Sequence, residues 1–328
     1  MSNEAELQSE LGKFRQDYQS LRDNLGEVLV GQNQAIDLTL TALLAGGHVL
    51  LEGPPGVGKT LLGRTLANLL EAEQQRIQFT SDLMPADILG TYVVMEVQGR
   101  RKFEFQRGPI FTNVLLADEI NRATPKTQAA LLEGLEERAV TVANETYELP
   151  SPFFTIATQS PGESEGAFPL PATQLDRFAF SVRMASPSES ELDTILEKST
   201  DPPTQIPPPV LPGKRVVEMA ELVRQVSAAS DVRRYAAKVT LATQPHSDSA
   251  CEPAKRFLLQ GAGPRAAQAM VLGGKVKAIL DGRAHVSKED IQSLAGPALQ
   301  HRLVLNFEGH AHEAGVEGVV QQILDAAG

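Results

Sequence analysis

The chain has 328 residues and a single cysteine, Cys251, so it can close no intramolecular disulfide and build no thiolate metal site of its own. No apolar run approaches the ~20 residues that span a bilayer, and residues 1–22 are polar and charged with no signal-peptide core. These absences predict a cytoplasmic protein without membrane insertion. Cationic excess is missing as well: the net charge is −11, which argues against a surface that tracks a nucleic-acid backbone. Aromatics make up 5% of the chain, and no aromatic-rich platform for stacked bases is visible. The six histidines are scattered. The nearest pair, His310 and His312, would share a face only on a strand, so a solvated surface is expected there rather than a metal site.

What the chain does have is an ordinary globular composition, 42% hydrophobic and 22% charged, and enough length for two domains. Its most informative stretch is Gly53-Pro54-Pro55-Gly56-Val57-Gly58-Lys59-Thr60, which matches the phosphate-binding loop G-x-x-x-x-G-K-[ST]. A β-like apolar segment, His48 to Glu52, precedes it, and helical spacing of apolar residues begins at Leu61 and Leu62. Strand, loop and helix in that order place backbone N–H groups and a helix N-terminus around one anion. Lys59 would then pair with the β- and γ-phosphates and the Thr60 hydroxyl would ligate Mg²⁺.

A second motif ends the buried-type strand Val114-Leu115-Leu116-Ala117-Asp118-Glu119. Asp118 suits a Mg²⁺ ligand, acting directly or through water, and Glu119 can orient and deprotonate an attacking water. Alternating strands and helices predict a mostly parallel sheet covered on both faces, with ligands at the carboxyl ends of its strands. In the first segment, Leu7, Leu11, Phe14, Tyr18, Leu21 and Leu25 make one apolar helical stripe, expected to dock on its own domain rather than self-associate. Two β-hairpins are predicted, Thr91–Phe105 turning at Gln98-Gly99 and Ala139–Leu149, the first carrying Arg100, Arg101 and Lys102 near its tip. The Pro-rich run 201–212 can continue neither a helix nor a central strand, and the segments after it are helical in periodicity. The division expected is an N-terminal helix over 1–27, an α/β nucleotide-binding domain over 28–200, a linker over 201–213 and a helical region with a tail over 214–328.

These motifs, followed by Pro169-Leu170-Pro171-Ala172-Thr173-Gln174-Leu175-Asp176-Arg177-Phe178 and Gly263-Pro264-Arg265-Ala266, occur in the order seen in AAA+ ATPases of the MoxR type, and the chain resembles that family over about residues 28 to 305. The resemblance implies an α/β fold, an AAA+ P-loop core with a parallel sheet between helices, followed by a small all-α lid. It implies an ATPase that converts ATP to ADP with Mg²⁺, assembles with itself into a hexameric ring, and remodels or activates protein clients with partners that contain von Willebrand factor A domains. Arg177 resembles the arginine finger offered to a neighbouring subunit, and Arg265 the sensor 2 arginine of the lid. The Thr91–Phe105 hairpin resembles the insertion that faces the ring's central opening.

One departure stands out. Where the family has Thr-Gln-Asn-Pro, this chain has Thr158-Gln159-Ser160-Pro161. Ser160 replaces the sensor 1 asparagine with a shorter group that has one donor instead of two. Nucleotide binding is expected to survive and hydrolysis to slow, which leaves open an ATP/ADP-controlled scaffold as an alternative. Gly263 before Pro264 is a milder departure that bears on how Arg265 is presented. A nucleic-acid motor using the basic hairpin is the weakest reading, given the net charge.

Overall fold

The computed structural model describes residues 2–97, 100–159, 167–200, 207–312 and 315–327. Ser160 and the hairpin tip at Gln98-Gly99 therefore lie outside the described residues, as does the first half of the Pro-rich run. The chain opens with two helices, α1 (Ser2–Val28) and α2 (Asn33–Leu44). The stripe on α1 is buried from Leu11 through Phe14, Tyr18 and Leu21 to Leu25, against α2, α3 (Lys59–Leu69) and the lid. Each such side chain contributes roughly 2 kcal/mol on burial. Polar ties fix its direction: Arg22 pairs with Asp37 at 2.6 Å, and Arg215 with Asp17 at 2.8 Å. The stripe thus docks on its own chain.

Five strands make the central sheet: β1 (Val49–Glu52), β2 (Gln74–Gln78), β5 (Val114–Asp118), β8 (Phe154–Gln159) and β9 (Phe180–Arg183). Their order is β2-β5-β8-β1-β9, and every pairing is parallel. Because side chains alternate along a strand, neighbouring residues enter different cores. Leu51, Leu116 and Ile156 pack with Leu62, Leu66 and Leu69 of α3. Leu50, Leu115 and Ala157 join the other core with Ile88 of α4 (Pro85–Leu89) and Leu131 and Leu132 of α5 (Pro125–Glu137). The sheet is covered on both faces, as the near-continuous apolar strands require.

Two antiparallel hairpins leave this body, β3 (Gly90–Val97) with β4 (Arg100–Arg107), and β6 (Ala139–Val142) with β7 (Glu145–Glu148). Phe105 stacks on Tyr147 at 4.4 Å, and the hydroxyls of Tyr92 and Tyr147 lie 2.7 Å apart, one donating to the other while the second donates to Glu145 Oε2. The first hairpin holds Val94, Met95 and Phe103 out in solvent.

After β9 the chain is helical, with α6 (Ala172–Leu175) preceding that strand and α7 (Glu189–Thr200), α8 (Gly213–Gln225), α9 (Ser230–Ala242), α10 (Glu252–Phe257), α11 (Pro264–Leu280), α12 (Lys288–Leu299), α13 (Phe307–His310) and α14 (Gly315–Ala327) following it. The lid differs from a purely helical reading in one place. Leu258–Gln260 (β10) pairs antiparallel with Val304–Leu305 (β11), two strands too short to leave a periodic signal. His312 packs edge-on to Phe257 at 4.8 Å, more sheltered than a solvated position. Among the described residues no helix is long and apolar enough to cross a membrane, and no cluster of His, Cys, Asp or Glu has the makings of a metal site.

Candidate nucleotide site

The phosphate loop runs from the carboxyl end of β1 to the first turn of α3. Gly53 lies against the end of β9, where a Cβ would stand 2.6 Å from the Met184 carbonyl oxygen, so only glycine allows that approach. Gly58 caps α3 with φ +99°, a left-handed conformation that again favours glycine. A Cβ at Gly56 would meet nothing within 4 Å, so the loop's outer side is open. Pro54, Pro55, Gly56, Thr60 and Leu61 are exposed there, Val57 less so. Lys59 is turned inward, its Nζ donating to the Gly53 carbonyl at 2.5 Å and to the Pro54 carbonyl at 3.1 Å. Burial pulls its pKa down from the usual lysine range, while Asp118 and Glu119 oppose that shift.

Asp118 and Glu119 end β5, beside β8. Asp118 is buried, its Oδ1 accepting from the Thr158 hydroxyl at 2.6 Å and its Oδ2 from Arg76 Nη2 at 2.7 Å. Glu119 has φ +57° and ψ +49°, an uncommon conformation for a residue with a Cβ, and its N–H donates to Thr158 Oγ1 at 2.9 Å. Its carboxylate accepts from Gln78 Nε2 and from Arg122 Nη1, each at 2.9 Å. At the next strand end, Gln159 donates to Glu52, the residue before the phosphate loop. Three parallel strands thus deliver Lys59, Asp118, Glu119 and Gln159 to one edge of the sheet.

The donor set at this edge fits a magnesium triphosphate. A hydroxyl and a carboxylate are hard oxygen ligands of the kind Mg²⁺ takes, and the exposed Thr60 and the β5 carboxylate belong to neighbouring elements. A loop with glycine at its turning points ahead of a helix N-terminus is an anion cradle.

Arg177 and Arg265 stand elsewhere. Arg177 precedes β9, and Phe180 at the start of β9 is in register with Val49 at the start of β1. Both therefore mark the amino ends of their strands, and the Ala179 N–H donates to the His48 carbonyl there. Strand β1 alone spans roughly 10 Å at 3.3 Å per residue, so Arg177 is on the opposite edge from the chain's own phosphate loop. Arg265, in the first turn of α11, reaches the same edge. Glu136 binds both arginines, Arg265 through Oε1 and Arg177 through Oε2 at 3.2 Å, and Asp176 Oδ2 lies 3.5 Å from Arg265. Here a cavity of about 330 Å³ is lined by Glu136, Asp176, Arg177, Arg224, Arg265 and Arg302. The structure thus brings Lys59, Thr60, Asp118 and Glu119 together, brings Arg177 and Arg265 together, and keeps the two groups apart.

Residues 48–180 match the family model described as the ATPase family associated with various cellular activities (AAA), and residues 254–324 match the AAA lid domain. The chain is 38% identical to chaperone MoxR1 of Mycobacterium tuberculosis over 90% of its own length and 78% of that protein. The chain belongs to the MoxR-type AAA+ ATPases. The chain is also 40% identical to the uncharacterized protein YeaC of Bacillus subtilis, over 93% of this chain and 92% of that protein. A crystal structure of a Cytophaga hutchinsonii protein superposes with a TM-score of 0.88 at 33% identity, covering 98% of this chain and 97% of that one. As a MoxR-type AAA+ protein, the chain has the P-loop core and helical lid described above.

Several polar groups around the site lie outside the motifs, Thr158 in its Thr-Gln-Ser-Pro run excepted. Thr158 had a signal, a hydroxyl at the end of an apolar strand. Gln78 and Arg76 face β5 only because β2 lies next to it, a pairing that periodicity does not give. Glu136 and Arg302 belong to none of the motifs; the fold of the core brings Glu136 to Arg177, and the packing of the lid on the core brings Arg302 to Asp176.

Proposed function

We propose that this MoxR-type protein is a Mg²⁺-dependent ATPase that works as a ring, a hexamer, in which Arg177 and Arg265 of one subunit complete the site formed by Lys59, Thr60, Asp118 and Glu119 of the next. The observation that carries the reading is the separation of the two groups to opposite edges of one sheet. A head-to-tail contact between copies brings such edges together, and repetition of that contact closes a ring.

In the chemistry this implies, Lys59 leaves the Gly53 and Pro54 carbonyls for the phosphates, joining the loop N–H groups and the α3 N-terminus in holding them. Thr60 and Asp118 would hold Mg²⁺, which when bound offsets phosphate charge. Thr158 fixes the Asp118 carboxylate in place. Glu119 takes the proton of the attacking water once its carboxylate turns from Arg122, while Gln78 remains as a guide for its orientation. The incoming Arg177 and Arg265 stabilise charge on the transferred phosphoryl group, the largest electrostatic demand of the reaction.

The exposed Val94, Met95 and Phe103 on the first hairpin, with Arg101 and Lys102, give a surface for protein clients. Its tie to the second hairpin through Tyr92, Tyr147 and Glu145 lets both move as one arm. The family likeness supports a von Willebrand factor A domain protein as partner, and the polar N-terminal segment without a signal-peptide core supports a cytoplasmic location. The test is direct. Lys59→Ala should abolish ATP binding, and Glu119→Gln should retain ATP without turnover; unchanged turnover in both variants would refute the assignment.

A second reading, an ATP/ADP-controlled scaffold with weak hydrolysis, is favoured by Ser160 at the family's asparagine position. Robust hydrolysis by the unaltered chain would dismiss it.

A further inference from the structure

Arg302 follows α12 of the lid, and its side chain is 2% exposed. A guanidinium so buried is tolerated only when its donors are met. Here they are met almost entirely by the segment that carries Arg177. Nε donates to Asp176 Oδ1 at 2.7 Å, and Nη2 donates to the Asp176 carbonyl at 3.0 Å and the Phe178 carbonyl at 2.7 Å. Nη1 donates to the Ala179 carbonyl at 3.2 Å and to the Ala298 carbonyl in the last turn of α12. The two residues before it join in: Gln300 Nε2 donates to the Ser181 carbonyl, and His301 Nε2 donates to the Phe178 carbonyl, each at 3.0 Å. Three consecutive lid residues therefore bracket the stretch 176–181, with Arg177 inside it.

A well-packed apolar contact would serve stability alone at least as well as this buried pair, since desolvation offsets much of an ion pair's attraction. What a planar fork with five donors adds is geometry, because a shift of about 1 Å in the 176–179 backbone would break several bonds at once. The same arrangement reaches the other arginine. Asp176, held by Arg302 through one oxygen, faces Arg265 with the other, and Glu136 links Arg265 to Arg177. The series Arg302, Asp176, Arg265, Glu136, Arg177 alternates in charge, and its first three links cross between lid and core before the last, Glu136 to Arg177, stays within the core.

We infer that Arg302 is a positioning residue for Arg177: it clamps the finger segment to the lid of its own subunit, so that turnover at the neighbouring subunit's nucleotide depends on the lid of the subunit that donates the arginine. This rests on completion of the site between copies, as proposed above.

The test uses full-length chains mixed in equal amounts. One chain carries Glu119→Gln and donates an intact finger; the other carries Arg177→Ala and supplies the only competent Glu119. Adding Arg302→Lys to the donor should lower kcat of the mixture at least tenfold with KM for ATP changed less than twofold. The same substitution in the Arg177→Ala chain should change kcat less than twofold. Equal losses from both placements, or no loss from the donor placement, would overturn the inference. Thermal unfolding of each variant accompanies the kinetics, and if Arg302→Lys does not fold, Asp176→Asn placed in the same two ways supports or overturns the inference by the same outcomes. The unaltered protein and the mixture without Arg302→Lys are the controls: absence of turnover in either refutes the ATPase or the shared site itself, whereas activity there with no donor effect refutes only the role of Arg302.

Discussion

The Thr158 hydroxyl donates to Asp118 Oδ1 at 2.6 Å while accepting the Glu119 N–H at 2.9 Å, so one side chain on β8 fixes both acidic residues that end β5. Removing the hydroxyl leaves Asp118 held only through Oδ2 by Arg76, and leaves the part-buried Glu119 N–H without this partner. Thr158→Val is therefore expected to weaken binding of a magnesium-bound ATP analogue about tenfold, roughly 1.4 kcal/mol, the size of a lost bond to a charged group. Thr158→Ser should restore most of it. Titration of a fluorescent analogue at fixed Mg²⁺ checks both.

Glu119 holds its left-handed backbone despite having a Cβ, which costs on the order of 1 kcal/mol. Both Glu119→Gly and Glu119→Ala should abolish turnover. In urea unfolding the glycine variant is expected to be the more stable of the two by about 0.5–1 kcal/mol, since only the backbone preference separates them. Equal stabilities would mean that the conformation carries no strain.

Much of this architecture was legible in the sequence because its signals are local. Gly53 to Thr60 reads as a cradle from spacing alone, and the apolar lead into Asp118 and Glu119 marks a strand end. The stripe from Leu11 to Leu25 announced a docked helix, and the hairpins were visible from alternation around their turns. What was not legible depends on which strands lie side by side. Gln78 reaches Glu119 because β2 neighbours β5, and Arg302 reaches Asp176 across 126 positions of chain. The edge on which Arg177 stands follows from the register of β9 with β1, a tertiary fact that the Asp176-Arg177-Phe178 run does not encode. The short β10–β11 ladder was missed for want of length. Ser160 was legible as a departure, but its place lies outside the described residues.

His48 is buried at the start of β1, its Nε2 donating to the Leu135 carbonyl at 3.1 Å and its Nδ1 accepting the Thr155 N–H at 3.0 Å. Burial holds it neutral, with a pKa lowered to about 4. The unfolded chain binds this proton near pH 6.5, so stability is full above that value and falls as the solution is acidified toward the folded pKa. From His48 alone the loss between about pH 7.5 and about pH 5 is about 2 kcal/mol. His301, also buried and pulled well below the usual histidine range, acts in the same direction. Denaturant unfolding across this range checks the slope, which His48→Gln should flatten.

At position 160 the expected effect is kinetic. Ser160→Asn supplies the second donor of an amide and should raise kcat several-fold, with nucleotide affinity changed little. Steady-state turnover together with analogue binding separates the two quantities. A change in affinity alone would place the side chain's influence on binding instead.

The central claim, that each site is completed by another copy, is tested most directly by mixing two inactive variants. Glu119→Gln lacks the base and Arg177→Ala lacks the finger, so each alone should be without turnover. In an equal mixture about a quarter of the contacts in a head-to-tail ring pair an intact Glu119 with an intact Arg177, and turnover should return to about that fraction of the unaltered protein's rate. A mixture as inactive as its components would contradict the account.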